Sequence, residues 1–151
     1  MKYVHTNLIA KDWRSLADFY CKVFNCKPIP PERDLSGSWL DDATGIRDAH
    51  IRGIHLRLPG YGEDGPSLEI FQYDGVKTWA EKKPDTVSYG HIAFAVDDVR
   101  KTLKEILNLG GSTVGEIAEV HIEGAGTIRF VYTRDPEGNI IEVQEKLARA
   151  A

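Results

Sequence analysis

Residues 3–12 read YVHTNLIAKD and residues 89–98 read YGHIAFAVDD. Both stretches open on Tyr-x-His, continue in an apolar alternation suited to a strand, and close on an Asp suited to a helix start. After the first, Asp12 stands as N-cap to WRSLADFYCKVF, where Leu16, Phe19, Tyr20, Val23 and Phe24 share a helical face. After the second, Asp97 or Asp98 caps a helix whose apolar face is Val99, Leu103, Ile106 and Leu107, and Gly110 and Gly111 end it. The prolines Pro28, Pro30 and Pro31 are expected to end the first helix, and residues 32–50 to form a loop. Strands are expected near 53–58 and over 67–73 in the first half, and near 112–117, 127–133 and 139–145 in the second. The chain therefore reads as two copies of one module, each in the order strand, helix, strand, strand, strand.

Side chains alternate faces along a strand. In 3–9 one face carries Tyr3, His5, Asn7 and Ile9; in SLEIFQY (67–73) one face carries Ser67, Glu69 and Phe71. In the second copy His91, Ala93 and Ala95 share a face, as do Ile140, Glu142 and Gln144. The opposite faces are aliphatic and suit packing against the helices. His5, Glu69, His91 and Glu142 thus recur at matching places in both copies. If the helix-free faces meet in a half-open barrel of eight strands, the four side chains converge in a cleft wide enough for a small ligand. Two imidazoles and two carboxylates form a mixed nitrogen and oxygen set suited to one divalent metal ion, Zn, Ni, Co, Mn or Fe. Softer candidates for substrate binding are His55 and Arg57, which lie opposite Ile54, Leu56 and Leu58, and Arg129, which lies opposite Ile128 and Phe130. A guanidinium facing a cleft can hold a carboxylate or phosphate. Trp39 and Tyr61 stand in stretches that could cover the cleft; His50 and His121 receive no role.

The composition sets the outer limits. The chain has 151 residues, 42% hydrophobic and 28% charged, with a net charge of −4. This is the make-up of a globular protein. No basic stripe is available for nucleic acid. No apolar run reaches the roughly 18–20 residues of a membrane span, and MKYVHTNL is too short and polar for a secretory signal. Cys21 and Cys26, spaced C-x4-C, fit no common zinc or redox pattern and read as free thiols of a cytoplasmic protein.

The stretches VHTNLIAKDW, LEIFQY, YGHIAFAVDDV and RDPEGNIIEVQE together resemble the vicinal-oxygen-chelate superfamily, which includes glyoxalases, bleomycin-resistance proteins and extradiol dioxygenases. The resemblance spans nearly the whole chain. It implies an α+β fold of two βαβββ modules in one domain, with module 1 at 1–74, a joint at 75–88 and module 2 at 89–151. The sheet is expected to curl into a half-open, eight-stranded, barrel-like form with the helices outside. The four residues fall on the metal-ligand positions of glyoxalase I-like members, and on those of methylmalonyl-CoA epimerase-like members.

The resemblance implies a substrate with adjacent oxygens and a lyase or isomerase reaction. The metal acts as a Lewis acid, and a proton next to a carbonyl is removed to give an enediolate. Glu142 is the implied base and Glu69 the second candidate. Bacterial glyoxalase I commonly places an Arg four residues after the first His and an Asn four residues after the first Glu, to hold glutathione. Here these positions are Ile9 and Tyr73, which argues against glutathione. An extradiol-type dioxygenase using Fe(II) with His5, His91 and Glu142 is an alternative that Glu69 disfavours, as a fourth ligand. A small-molecule or antibiotic-binding resistance protein is another, disfavoured by the full ligand set. Sheet edges point to a homodimer.

Overall fold

The computed structural model describes residues 1–77, 81–124 and 126–147. The chain forms two compact units, 1–78 and 79–151. The boundary falls within the expected joint, whose residues 78–80 lie outside those described. The architecture is α+β, with three helices and two mixed sheets of four and five strands among the described residues.

Unit 1 begins with β1 (His5–Ile9) and α1 (Trp13–Phe24). The Asp12 carboxylate accepts from the backbone N–H of Arg14 and Ser15, satisfying two donors that a helix start leaves free. α1 ends at Asn25, which takes the left-handed conformation at φ 56° and donates its N–H to the Tyr20 carbonyl. The helix therefore stops before the prolines. These belong instead to β2 (Lys27–Ser36), an edge strand, where a missing N–H costs no ladder bond. The expected loop at 32–50 is replaced by the end of β2 and by α2 (Ser38–Thr44). β3 (His50–Arg57) and β4 (Ser67–Tyr73) complete the sheet in the order β1-β4-β3-β2, with β1 parallel to β4 and the other pairs antiparallel.

α1 packs on β3 and β4 and buries Trp13, Leu16, Ala17, Phe19, Tyr20 and Phe24. With Leu56, Leu68 and Ile70 these make the core of the unit, each large side chain contributing about 1.5–3 kcal/mol. On the other face of the sheet, Leu40 of α2 joins Ala49, Ile51 and Phe71, with Leu35 and Tyr73 against them. Gly53 is required here: a Cβ would stand 2.1 Å from the Ile70 carbonyl oxygen and 2.4 Å from the Phe71 ring. Cys21 and Cys26 are free thiols, and burial pushes Cys26 up to about 12.

Unit 2 repeats the plan with β5 (Ile92–Ala95), α3 (Val99–Asn108), β6 (Ser112–Thr113), β7 (Ala118–Ile122), β8 (Gly126–Arg134) and β9 (Ile140–Lys146). The order is β5-β9-β8-β6, with β7 also on β8, so β6 and β7 together take the place that β2 holds. β7 is exposed along its length, although Ala118, Val120 and Ile122 alternate with Glu119 and His121; at five residues it is a strand the expectation near 112–117 misses. α3 buries Val99, Thr102 and Ile106, a stripe turned toward Thr102 and away from exposed Leu107. Its N-cap is Asp98, which accepts from the Lys101 N–H. No helix is long and apolar enough to cross a membrane among the described residues.

Candidate metal centre

Register decides which side chains share a face, because residues paired across strands point the same way. In unit 1, His5 pairs with Ser67 and Ser67 with Arg57; Asn7 pairs with Glu69 and Glu69 with His55. The face opposite α1 therefore carries two rows, His5-Ser67-Arg57 and Asn7-Glu69-His55, and α2 covers its far end, where Leu40 packs on Ile51 and Phe71. A bulge between Ile29 and Arg33 brings Arg33 opposite Gly53 on the same face. Glu69, 8% exposed, is held by three partners. Its Oε2 lies 3.2 Å from His5 Nε2 and accepts from Asn7 Nδ2 at 3.2 Å; its Oε1 lies 3.0 Å from His55 Nε2. Burial lowers the proton affinity of His55, and nearby Arg33 and His5 add to this against the opposing pull of Glu69. The His55 ring also meets the Phe71 ring edge-on at 5.7 Å, which sets its orientation.

In unit 2, Glu142 pairs with Ala93 on one side and Tyr132 on the other. Glu142 Oε2 lies 2.9 Å from His91 Nε2, and the His91 ring packs edge-on against Tyr132 at 5.0 Å. The two units match position by position. In each, the Glu lies on the strand parallel to that of the His and meets it diagonally, with Asn7 answered by Ala93 and His55 by Tyr132. Each unit thus pairs the imidazole near its first strand's start with one carboxylate, and in unit 1 a second imidazole, His55, meets the same carboxylate. No group of three or more His, Cys, Asp or Glu side chains is set for a metal ion among the described residues.

Arg129, expected to face the cleft, stands on the other face of unit 2. Parity along β8 groups it with Val131 and Thr133, under α3, while Ile128, Phe130 and Tyr132 line the Glu142 face. Its guanidinium is bound to Glu119 and to buried Glu145, whose other oxygen accepts the N–H of Val99 at the start of α3 at 2.6 Å. Arg129 is therefore a structural cation. Trp39 is 56% exposed beside Leu40 in α2. Asn7 was not singled out in the sequence, although its place two residues from His5 on one strand puts it on the same face. His50 is clamped between Asp34 and Asp74 at the far end of β3, and His121 lies beside Thr127.

A family profile described as Glyoxalase/Bleomycin resistance protein/Dioxygenase superfamily matches residues 2–143. The chain belongs to this superfamily. Similar curated proteins include the lactoylglutathione lyase of Escherichia coli O157:H7, 26% identical over 147 residues, covering 97% of this chain and 93% of that one. A probable lactoylglutathione lyase of Vibrio cholerae is 34% identical over 152 residues, covering 99% and 94%. Among solved structures, a glyoxalase family protein from Bacillus cereus shares the fold with a TM-score of 0.74 at 20% identity, covering 98% of this chain and 94% of that one. Within the glyoxalase superfamily the repeated His and Glu pairs are thus set in a matching fold.

Proposed function

We propose that this chain is a divalent-metal-dependent lyase or isomerase of the glyoxalase superfamily that removes a proton next to a carbonyl of a small substrate with adjacent oxygens. In this reading the two units work as one domain and His5, Glu69, His91 and Glu142 are the metal ligands. The observation that carries it is the twice-repeated pair, with N···O separations of 3.2 and 2.9 Å. Two donors each about 2.1 Å from one ion and at right angles to each other stand about 3.0 Å apart. A divalent ion bound there supplies Lewis-acid polarisation of the substrate oxygens.

The chain's own residues divide the remaining work. Glu69 is an anchor, since His5, His55 and Asn7 hold both its oxygens. Glu142 has only His91 as a partner among the described residues, with Ala93 and Tyr132 where unit 1 has Asn7 and His55. A carboxylate with one partner is the freer to turn toward a substrate carbon and take its proton, so Glu142 is the base and Glu69 the lesser candidate. The relatives named lactoylglutathione lyase support the reaction class. Ile9 and Tyr73, apolar or packed against the α2 cluster, favour a substrate other than a glutathione adduct. Free Cys21 and Cys26 suit the cytoplasm, and a homodimer would cover the sheet edges.

The test joins metal content to proton exchange. Protein purified without added metal should carry a divalent ion that His91→Ala and Glu69→Ala lose. In heavy water it should exchange the proton next to the carbonyl of a 2-hydroxycarbonyl compound, and Glu142→Gln should stop the exchange while keeping most of the metal. Metal content unchanged in both Ala variants would refute the ligand assignment, and undiminished exchange in Glu142→Gln would refute the base.

A further inference from the structure

We propose that Arg57, with Arg33 as a second cation, forms an anion subsite for a carboxylate or phosphate group of the substrate. This rests on the functional reading above and narrows the substrate class to small anionic oxo-compounds.

Arg57 shares its face and its row with His5, two strands away across Ser67, about 10 Å between Cα atoms. It makes no hydrogen bond or ion pair among the described residues, and its Nε is buried without an acceptor. An unmet buried donor costs about 1–3 kcal/mol; Arg52 Nε is also unmet, but its guanidinium pairs with Asp74, whereas Arg57 has no such pair among the described residues. The nearest carboxylate of the face, Glu69, has both oxygens taken by His5, Asn7 and His55. Lys27, in the same row, lines a cleft against α1 together with Cys21 and Cys26 and leaves the face to Arg57.

The repeat provides an internal control. Two residues beyond Tyr132, the counterpart of His55, stands Arg134, the counterpart of Arg57. Arg134 is fully engaged: it donates to the Gly138 carbonyl at 3.0 Å and to the Lys82 carbonyl, and pairs with Glu81 at 3.3 Å. One position in the module is thus a stitched structural guanidinium in unit 2 and an open one in unit 1. Arg33, opposite Gly53 on the far side of His55, adds positive charge to the same face. A planar fork of N–H donors next to a chelating pair suits a substrate whose anionic end is a few carbons from its adjacent oxygens.

The test uses the full chain, as purified and after chelator treatment, with succinate, inorganic phosphate and neutral succinamide as probes, read by calorimetry. Succinate or phosphate should bind and succinamide should not; whichever of the two anions binds identifies the group the subsite takes. Arg57→Met should weaken the bound anion by about 10- to 100-fold, Arg57→Lys should restore part of the loss, and Arg33→Met should cost less. Thermal melting of each variant checks its fold. Retention of anion binding after the chelator places the anion on the guanidinium; loss of metal dependence elsewhere with this binding intact would sink the metal reading alone. Absence of anion binding to the parent protein, or equal binding to Arg57→Met, overturns the subsite.

Discussion

Replacing Glu145 by Ala tests the reassignment of Arg129 from substrate ligand to structural cation. Glu145 is 7% exposed and spans two elements, accepting from Val99 N–H at 2.6 Å with one oxygen and from Arg129 with the other. Truncation leaves the Val99 N–H without an acceptor beneath a fully buried residue, at about 1–3 kcal/mol. It also removes a negative charge from the start of α3, worth about 0.3–1 kcal/mol. The expected loss is therefore about 1–4 kcal/mol, a fall in melting temperature of roughly 3–15 °C for a chain of this size. Calorimetric melting of Glu145→Ala beside Glu119→Ala measures it. Glu119 is 47% exposed at the side chain, so its removal should cost under about 1 kcal/mol. Equal, small effects of the two substitutions would show that the Arg129–Glu145–Val99 link does not hold α3 to the sheet, and would reopen the other role for Arg129.

Asn7→Ala should weaken metal affinity by about 10- to 100-fold, measured by chelator competition, because Asn7 orients the Glu69 oxygen that faces His5. His50 has Asp34 at 2.6 Å on Nε2 and Asp74 at 2.8 Å on Nδ1, and these hydrogen bonds, Asp34 first, raise its proton affinity above the ordinary 6.5. Both nitrogens donate only in the imidazolium, so the clamp contributes its full stability below pH 6.5 and loses it as pH rises through the raised folded value. The hydrogen bond from His50, and after it the Arg52 guanidinium, hold the proton affinity of Asp74 below the ordinary carboxylate value. The urea midpoint of the parent protein should therefore fall across that window while that of His50→Gln stays flatter; parallel profiles would refute the clamp.

The four candidate ligands were legible because a period of two and an internal repeat are properties of sequence. His5 opens β1 and His91 stands one residue before β5, and Glu69 and Glu142 sit at matching places in strands the alternation marks out. The bounds of α1 were legible for a local reason as well: Asp12 caps it and its apolar stripe is continuous. Residues 32–50 misled because Gly37, Gly45 and a run of charges read as loop, whereas an edge strand tolerates the charges and the two glycines cap the short α2. Arg129 misled because alternation along 127–133 does not say which face meets the helix; Ile128 and Phe130 line the Glu142 face, which in unit 2 is itself apolar around Tyr132.

The sequence by itself determined the repeat, the helix caps and the alternation that puts a His and a Glu on one face of each half, since these depend only on neighbours along the chain. Tertiary structure alone decided that Glu69 is held by three side chains and Glu142 by one, that Arg129 and Arg134 are bound within the protein, and that Arg57 is left open. Those outcomes depend on strand register, which sets the partner of each side chain across the sheet, and register is fixed by pairing between segments far apart in the chain.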